Sequence, residues 1–364
     1  MMGARLKLAR KKAGLSLRDL AHAIGGLVSA QALGKYERDE MVPSAKVLHA
    51  LSKALGVSMS FLMDAQRLDL AEVDFRTKAN TTKADRAKVE TEVLEWVSRY
   101  LEVERILDRD SRHWEAMDGG RRAIRTLDEA EDLANTLREH WELGEDPIPN
   151  MTELLEEKGL KVLIEELPAR VSGFTCLVTG DGADDPVPAI VVNKSKSLER
   201  RRITLAHELA HRLIDPQHLN AKEEEKAANR FAGAFLVPRE HLEREIGKHR
   251  NALGYRELLD IKRLYRVSGA AMLVRLRDVG IIDDGVLSTA FQTVARTWRS
   301  EEPEPIEDEA RRGDMEKPRR FERLCYWALA EKLISVSKAA ELLRKPVTEV
   351  EEQLKGPWRA GHRQ

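Results

Sequence analysis

The chain is 364 residues long, carries 61 Lys and Arg against 62 Asp and Glu, and has a formal net charge of −1. That length predicts two or three domains, each able to bury its own core, and that balance excludes a net field drawing the whole chain to one class of charged partner. The two cysteines, Cys176 and Cys325, are far apart and outside any CxxC spacing, which excludes a disulfide scaffold and a cysteine zinc site.

Charge is unevenly distributed. Residues 1–64 hold ten Lys/Arg against five Asp/Glu, a net +5 that leaves −6 for the remainder. No stretch reaches 18 uninterrupted apolar residues, and no long apolar run follows the first basic residues. Neither export nor a membrane partner is expected, and a reducing, cytoplasmic location is.

The basic segment breaks into short helices at Gly14, Gly25-Gly26, residues 39–43 and Gly56. Ser16 and Asp19 have capping-box spacing for a helix with apolar positions Leu17, Leu20, Ala21 and Ile24, which Gly25 ends. A turn then delivers a second helix over residues 29–37, the pattern of a helix-turn-helix. Residues 28–63, VSAQALGKYERDEMVPSAKVLHALSKALGVSMSFLM, resemble the XRE family of Cro/repressor-type helix-turn-helix domains. The resemblance implies five helices over residues 1–65, the third lying in the major groove of double-stranded operator DNA. On that helix Ser29, Gln31 and Ala32 would lie near base edges and Lys35 would reach phosphate or base. Gln31 is best suited to read sequence, because an amide pairs with adenine through two hydrogen bonds. Val28, Leu33, Tyr36, Val47, Leu48, Leu51 and Leu55 are expected in the core. The turn departs from the family pattern: Gly26, Leu27 and Val28 separate Gly25 from Ser29, two residues more than usual, which leaves a protein-binding use of the domain open.

Residues 66–145 read as connecting helices. Val89, Val93, Trp96, Val97 and Tyr100 recur at helical spacing, as do Ala130, Leu133, Ala134, Leu137 and Trp141. Both stripes suit core or inter-domain packing, and the first would also serve as a homodimer seam. Beyond Pro149-Asn150 come a helix over 151–158 and a strand over 161–164. The β-prone runs 173–178 and 189–193, separated by a Gly/Asp/Pro turn, add two strands. The expectation is a small αβ unit with a three-stranded sheet, in which 189–193 is either a core strand or an edge wall that holds an extended peptide.

The chemistry concentrates at His207-Glu208-Leu209-Ala210-His211. Ile203, Ala206, Leu209, Ala210 and Leu213 form the apolar stripe of an amphipathic helix. On a helix, i and i+4 share a face, so both imidazoles reach one Zn²⁺ while Glu208 lies beside the activated water. A catalytic zinc takes a third protein ligand. The apolar face of the next helix, 221–236, runs through Ala228, Phe231, Ala232 and Phe235, and extended backwards it lands on Glu224 and Glu225, while Glu223 points away. Periodicity does not choose between those two. His218 and His241 follow the motif at spacings that demand no catalytic role, and both read as surface histidines.

Residues 202–214, RITLAHELAHRLI, followed by residues 225–238, EKAANRFAGAFLVP, resemble the ImmA/IrrE family of zinc metallopeptidases in the order and spacing of two motifs. The resemblance implies His207, His211 and Glu225 as metal ligands, Glu208 as general base, and Asn229 as a residue behind the ligands or against substrate. It extends to about residue 281. Residues 301–318, rich in Glu, Asp and Pro, read as an exposed acidic linker or loop, and 321–354 as two or three helices. The segment 337–343 with 347–350 has a faint helix-turn-helix pattern, but Glu341, Glu349, Glu351 and Glu352 oppose phosphate binding.

The expected architecture is α+β and mostly α: a helix-turn-helix domain at 1–65, connecting helices at 66–145, a metallopeptidase-like domain at 146–282 with a zincin-like HExxH helix on a sheet of about three strands, and a helical C-terminal region at 283–364. The expected function is a DNA-binding zinc endopeptidase that regulates transcription by cutting a helix-turn-helix repressor or an antitoxin-like protein. The alternatives are a transcription regulator whose peptidase-like domain is only a sensor or scaffold, and an antitoxin-type protein that grips a toxin.

Overall fold

The computed structural model describes residues 2–63, 68–71, 83–109, 114, 117, 120–180 and 186–354. The N-terminal segment forms α1 (Met2–Lys12), α2 (Leu17–Ala23), α3 (Ala30–Glu37), α4 (Ala45–Leu55) and α5 (Met59–Met63). Ser16, Ser29 and Ser44 start α2, α3 and α4, each hydroxyl accepting a backbone N–H three residues on. Gly25 and Gly26 both take φ of +69°, so the lengthened turn is built from two left-handed residues. α1 crosses the end of α3 so closely that a Cβ on Gly3 would lie 2.5 Å from the Tyr36 carbonyl oxygen.

The chain continues through β1 (Leu68–Ala71), α6 (Lys83–Ile106), β2 (Arg122–Ala123), α7 (Leu127–His140), α8 (Met151–Glu157), β3 (Lys161–Glu165), β4 (Gly173–Gly180) and β5 (Val187–Asn193). The turn expected between β4 and β5 falls at 181–185, outside the described residues. The main sheet has four strands in the order β1-β4-β5-β3, with β4 antiparallel to both β1 and β5 and β3 parallel to β5. The expected sheet of about three strands therefore gains Leu68–Ala71, a segment assigned above to connecting helices. β5 lies inside the sheet with all seven residues buried, so 189–193 is a core strand and not an edge wall.

Strand alternation divides the interior in two. Val162, Ile190 and Val192 face the core built by α7, α8, α9 (Leu198–Leu213) and α10 (Ala221–Leu236). Leu163, Ala189 and Val191 face a second core, shared by α6, the five N-terminal helices and the C-terminal helices. The stripe Val89, Val93, Trp96, Val97 and Tyr100 is buried there, so it is occupied within the chain and is no dimer seam. α6 also holds the N-terminal module through buried Glu95, which accepts from the Ser58 N–H at 3.2 Å and pairs with Arg344. α7 packs on α10 with Ala130, Leu133, Ala134, Leu137 and Trp141 all buried, which places it in the core beneath the HExxH helix.

After α9 a short strand, β6 (Ile214–Asp215), pairs in parallel with β2. α10 is followed by α11 (Arg239–Ile246), α12 (Tyr255–Tyr265), α13 (Gly269–Asp278) and α14 (Asp284–Gln292), then by α15 (Arg320–Ala330), α16 (Val336–Leu343) and α17 (Val347–Leu354). The acidic stretch between α14 and α15 is a strap on the αβ unit. Lys262, fully buried, donates to Glu199 at 3.0 Å, to Glu302 at 2.8 Å and to the Pro303 carbonyl. Arg201 makes a two-point pair with Glu307, at 2.9 and 3.2 Å, and Arg202 pairs with Glu316. The expectation of an exposed acidic linker or loop holds for Glu301, Glu304, Asp308, Glu309 and Asp314 and is corrected for Glu302, Glu307 and Glu316, whose side chains are no more than 5% exposed because buried cations on α9 and α12 hold them. On α16 and beyond, Lys338 pairs with Glu102 and Lys345 with Glu322 and Glu349, which leaves these lysines neutralised rather than offered to phosphate.

Candidate metal centre

α9 starts at Ser197, whose hydroxyl accepts the Arg200 N–H, and its apolar residues Leu205, Ala206, Leu209, Ala210 and Leu213 are buried against the sheet and α10. Gly173, the first residue of β4, sets how close the helix comes: a Cβ there would lie 2.6 Å from Thr204 Cγ2 and from the Val191 carbonyl oxygen. α10 begins with a capping box in which Asn220 accepts the Glu223 N–H and Glu223 accepts the Asn220 N–H. That cap occupies Glu223 and turns the next two glutamates toward α9.

His207 Nε2 and His211 Nε2 are 3.1 Å apart. Glu225 brings Oε2 to 3.5 Å from the first and Oε1 to 3.7 Å from the second. A tetrahedral ion with bonds of about 2.0–2.1 Å separates its ligand atoms by about 3.3 Å. The three distances bracket that value, and two nitrogens and a carboxylate oxygen are a donor set that zinc accepts. His207, His211 and Glu225 thus form a group that could hold a metal ion. His211 is buried, His207 half-buried, and the Glu225 side chain 45% exposed, so the group is open to solvent on one side.

The ambiguity between adjacent glutamates resolves geometrically. Glu224 is buried, and its Oε1 lies 3.2 Å from His211 Nδ1, on the side of the ring away from Nε2. A carboxylate on Nδ1 favours the tautomer that leaves Nε2 as the acceptor, the form a metal ligand needs. This contact of Glu224 with His211 was not expected from the sequence, though the helical face that carries it was visible.

Glu208 is buried and lines, with His207, a cleft of about 380 Å³ that Ser172, Thr204, Asn229, Ser268 and Trp298 also border. The Asn229 amide donates to the Glu225 carbonyl oxygen at 2.7 Å, so its side chain steadies the turn that carries Glu225 as well as facing the cleft. Trp298 comes from the segment after α14, where no site residue was expected. His218 is exposed on the turn after β6, and His241 Nδ1 lies 2.6 Å from the Tyr265 hydroxyl; neither joins the triad.

In the N-terminal module Gln31 and Lys35 are exposed on one side of α3, Ala32 is half-buried and Ser29 is the cap. Leu33 and Tyr36 are buried, as are Val47, Leu48, Leu51 and Leu55, and Val28 is half-buried against the same core.

A helix-turn-helix module of five helices and an HExxH helix facing a glutamate-bearing helix define a two-part class: a DNA-binding-type module fused to a metallopeptidase-type domain. Residues 6–62 match the helix-turn-helix family model, and residues 155–277 match the model of the IrrE N-terminal-like domain. Over 75 residues the chain is 39% identical to the SPbeta prophage-derived uncharacterized HTH-type transcriptional regulator YonR of Bacillus subtilis (strain 168), an alignment covering 20% of this chain and 68% of that protein. The chain belongs to the XRE-type helix-turn-helix regulators and carries an IrrE N-terminal-like, M78-type peptidase domain. No helix among the described residues is long and apolar enough to cross a membrane.

Proposed function

We propose that this protein is a cytoplasmic, operator-binding zinc endopeptidase that cuts a regulatory protein, a helix-turn-helix repressor or an antitoxin-like partner. The observation that carries this reading is the convergence of His207, His211 and Glu225 beside a cleft that Glu208 lines. His207, His211 and Glu225 would hold the zinc, which when bound lowers the pKa of a water toward neutrality and polarises a carbonyl. Glu208, one residue from a ligand and at the cleft wall, takes the proton from the attacking water and passes it to the leaving amine. Glu224 keeps His211 in the metal-binding tautomer. Trp298 and Ile203 wall the cleft with apolar surface that excludes bulk water from the peptide.

The same reading gives α3 to the major groove, with Gln31 at a base edge and Lys35 at phosphate or base, supported by the exposure of both side chains on a basic module. We assign hydrolysis to the unit that spans 146–282, completed by β1, α7 and the strap that pack on it. The test is co-incubation of the zinc-loaded protein with purified helix-turn-helix or antitoxin-like proteins encoded beside it, read by intact mass spectrometry. The wild type is expected to cut one of them at a defined bond, and Glu208→Gln to retain zinc and cut nothing. Cleavage by Glu208→Gln at the wild-type rate would remove the general base from the account.

A further inference from the structure

We infer that the cleft contains a subsite for an acidic side chain, in which Arg200 and Arg299 bind an aspartate or glutamate of the peptide about three residues from the bond that is cut. The inference rests on the peptidase reading for the position of that bond, and on the following geometry for the charge.

Arg200, Ile203, Thr204 and His207 lie at i, i+3, i+4 and i+7 of α9 and all line the cleft. Seven residues of helix advance about 10 Å, the length of about three residues of extended chain. Arg200 therefore stands roughly three peptide residues from His207 along the same wall. Arg299, on the segment after α14, lines the same cleft, and the Arg200 guanidinium donates to its carbonyl, which holds the two residues side by side. The Arg299 guanidinium stacks on the Phe291 ring, 4.5 Å from its centroid, which limits the positions its charge can take.

Pairing separates these two residues from their neighbours. Arg201 and Arg202, next in the chain, are buried and carry Glu307 and Glu316 as partners. Among the described residues no carboxylate pairs with Arg200 or Arg299, although most cations on this domain are paired. The charged groups that line the cleft are Arg200, Arg299 and Glu208, and Glu208 lies at the His207 end, two turns from Arg200. The positive field at the Arg200 end is felt by Lys196, whose ammonium is held below its ordinary range first by burial and then by Arg200 and Arg312. Two guanidiniums on one cleft, neither paired with a carboxylate among the described residues, favour an incoming carboxylate.

A random decapeptide library selected on the full-length Glu208→Gln protein tests this without cleavage. Asp and Glu are expected to be enriched about two- to five-fold in retained peptides, the range of a partly exposed ion pair. Adding Arg200→Glu and Arg299→Glu is expected to reverse the preference to Lys and Arg. The basic helix-turn-helix module is present in both proteins, so its own attraction for acidic peptides cancels in the comparison. If the double reversal does not fold, Arg299→Gln alone, at an exposed position, is expected to lower the enrichment. No acidic enrichment, or the same enrichment in the charge-altered protein, overturns the subsite. A wild-type protein that selects acidic peptides but hydrolyses no partner would lose the peptidase reading and keep the subsite; one that hydrolyses its partner without acidic selection would lose the subsite alone.

Discussion

Replacing Glu224 by alanine is expected to weaken zinc binding without touching a ligand. The Glu224 side chain is 9% exposed and places Oε1 3.2 Å from His211 Nδ1, opposite the nitrogen that converges with His207 and Glu225. Removing it frees the His211 ring to rotate and to take the wrong tautomer, and it removes a negative charge behind a cationic ion. Loss of such a partner costs roughly 10- to 100-fold in metal affinity, or about 1.4 to 2.8 kcal/mol. Glu224→Gln retains an oxygen acceptor but not the charge, so its affinity should fall between wild type and Glu224→Ala. Glu223→Ala, whose carboxylate is engaged in the cap of α10, should leave affinity unchanged while slightly lowering stability. Competition of apo-protein against a chromophoric zinc chelator measures all four dissociation constants, with circular dichroism to confirm folding. A dissociation constant for folded Glu224→Ala within about two-fold of wild type would refute the orienting function.

Glu307→Gln breaks the fully buried pair with Arg201 and strands its charge, so it should cost about 3–5 kcal/mol in denaturant unfolding; a loss under 1 kcal/mol would mean that the strap contributes little. Glu156, buried beneath α15, has its carboxyl pushed up to about 7 by burial. A folded pKa above the unfolded one means that its contribution is fully present below about pH 4.5 and is lost as pH rises to about 7, amounting to up to about 3 kcal/mol. Glu156→Gln should flatten that part of the stability profile and raise the melting temperature at pH 8; an unchanged profile would remove Glu156 as its source. For operator binding, a phosphate contact by Lys35 requires that Lys35→Ala weaken all sequences alike and reduce the salt slope by about one, loss at a single base pair marking a base contact instead, whereas Gln31→Ala should cost about 1–3 kcal/mol at one base pair only, both measurable by fluorescence anisotropy on operator variants.

The HExxH helix and its partner were legible in the sequence because both are local patterns: Ala206, Leu209, Ala210 and Leu213 on α9, and Ala228, Phe231, Ala232 and Phe235 on α10, mark apolar faces beside which His207, His211, Glu224 and Glu225 stand. Choosing between the two glutamates required the relative rotation of two helices, which no single-helix period contains. The strand Leu68–Ala71 was missed because four residues give too short an alternation, and its pairing with β4 joins residues more than a hundred positions apart. The strap was misread for a related reason. Its composition is that of a solvated linker, and the cations that hold its buried glutamates, Arg201, Arg202 and Lys262, stand on helices where basic residues look like surface. Trp298 and Arg299 entered the cleft unannounced because the strap delivers them.

The central claim, a three-ligand zinc centre, is tested most directly by elemental mass spectrometry of purified wild type and Glu225→Ala under conditions that exclude adventitious metal. The account predicts about one zinc per wild-type chain, lost or greatly weakened in Glu225→Ala. A folded wild-type protein that takes up no zinc when it is supplied, or a Glu225→Ala variant that holds zinc as tightly as wild type, would contradict it.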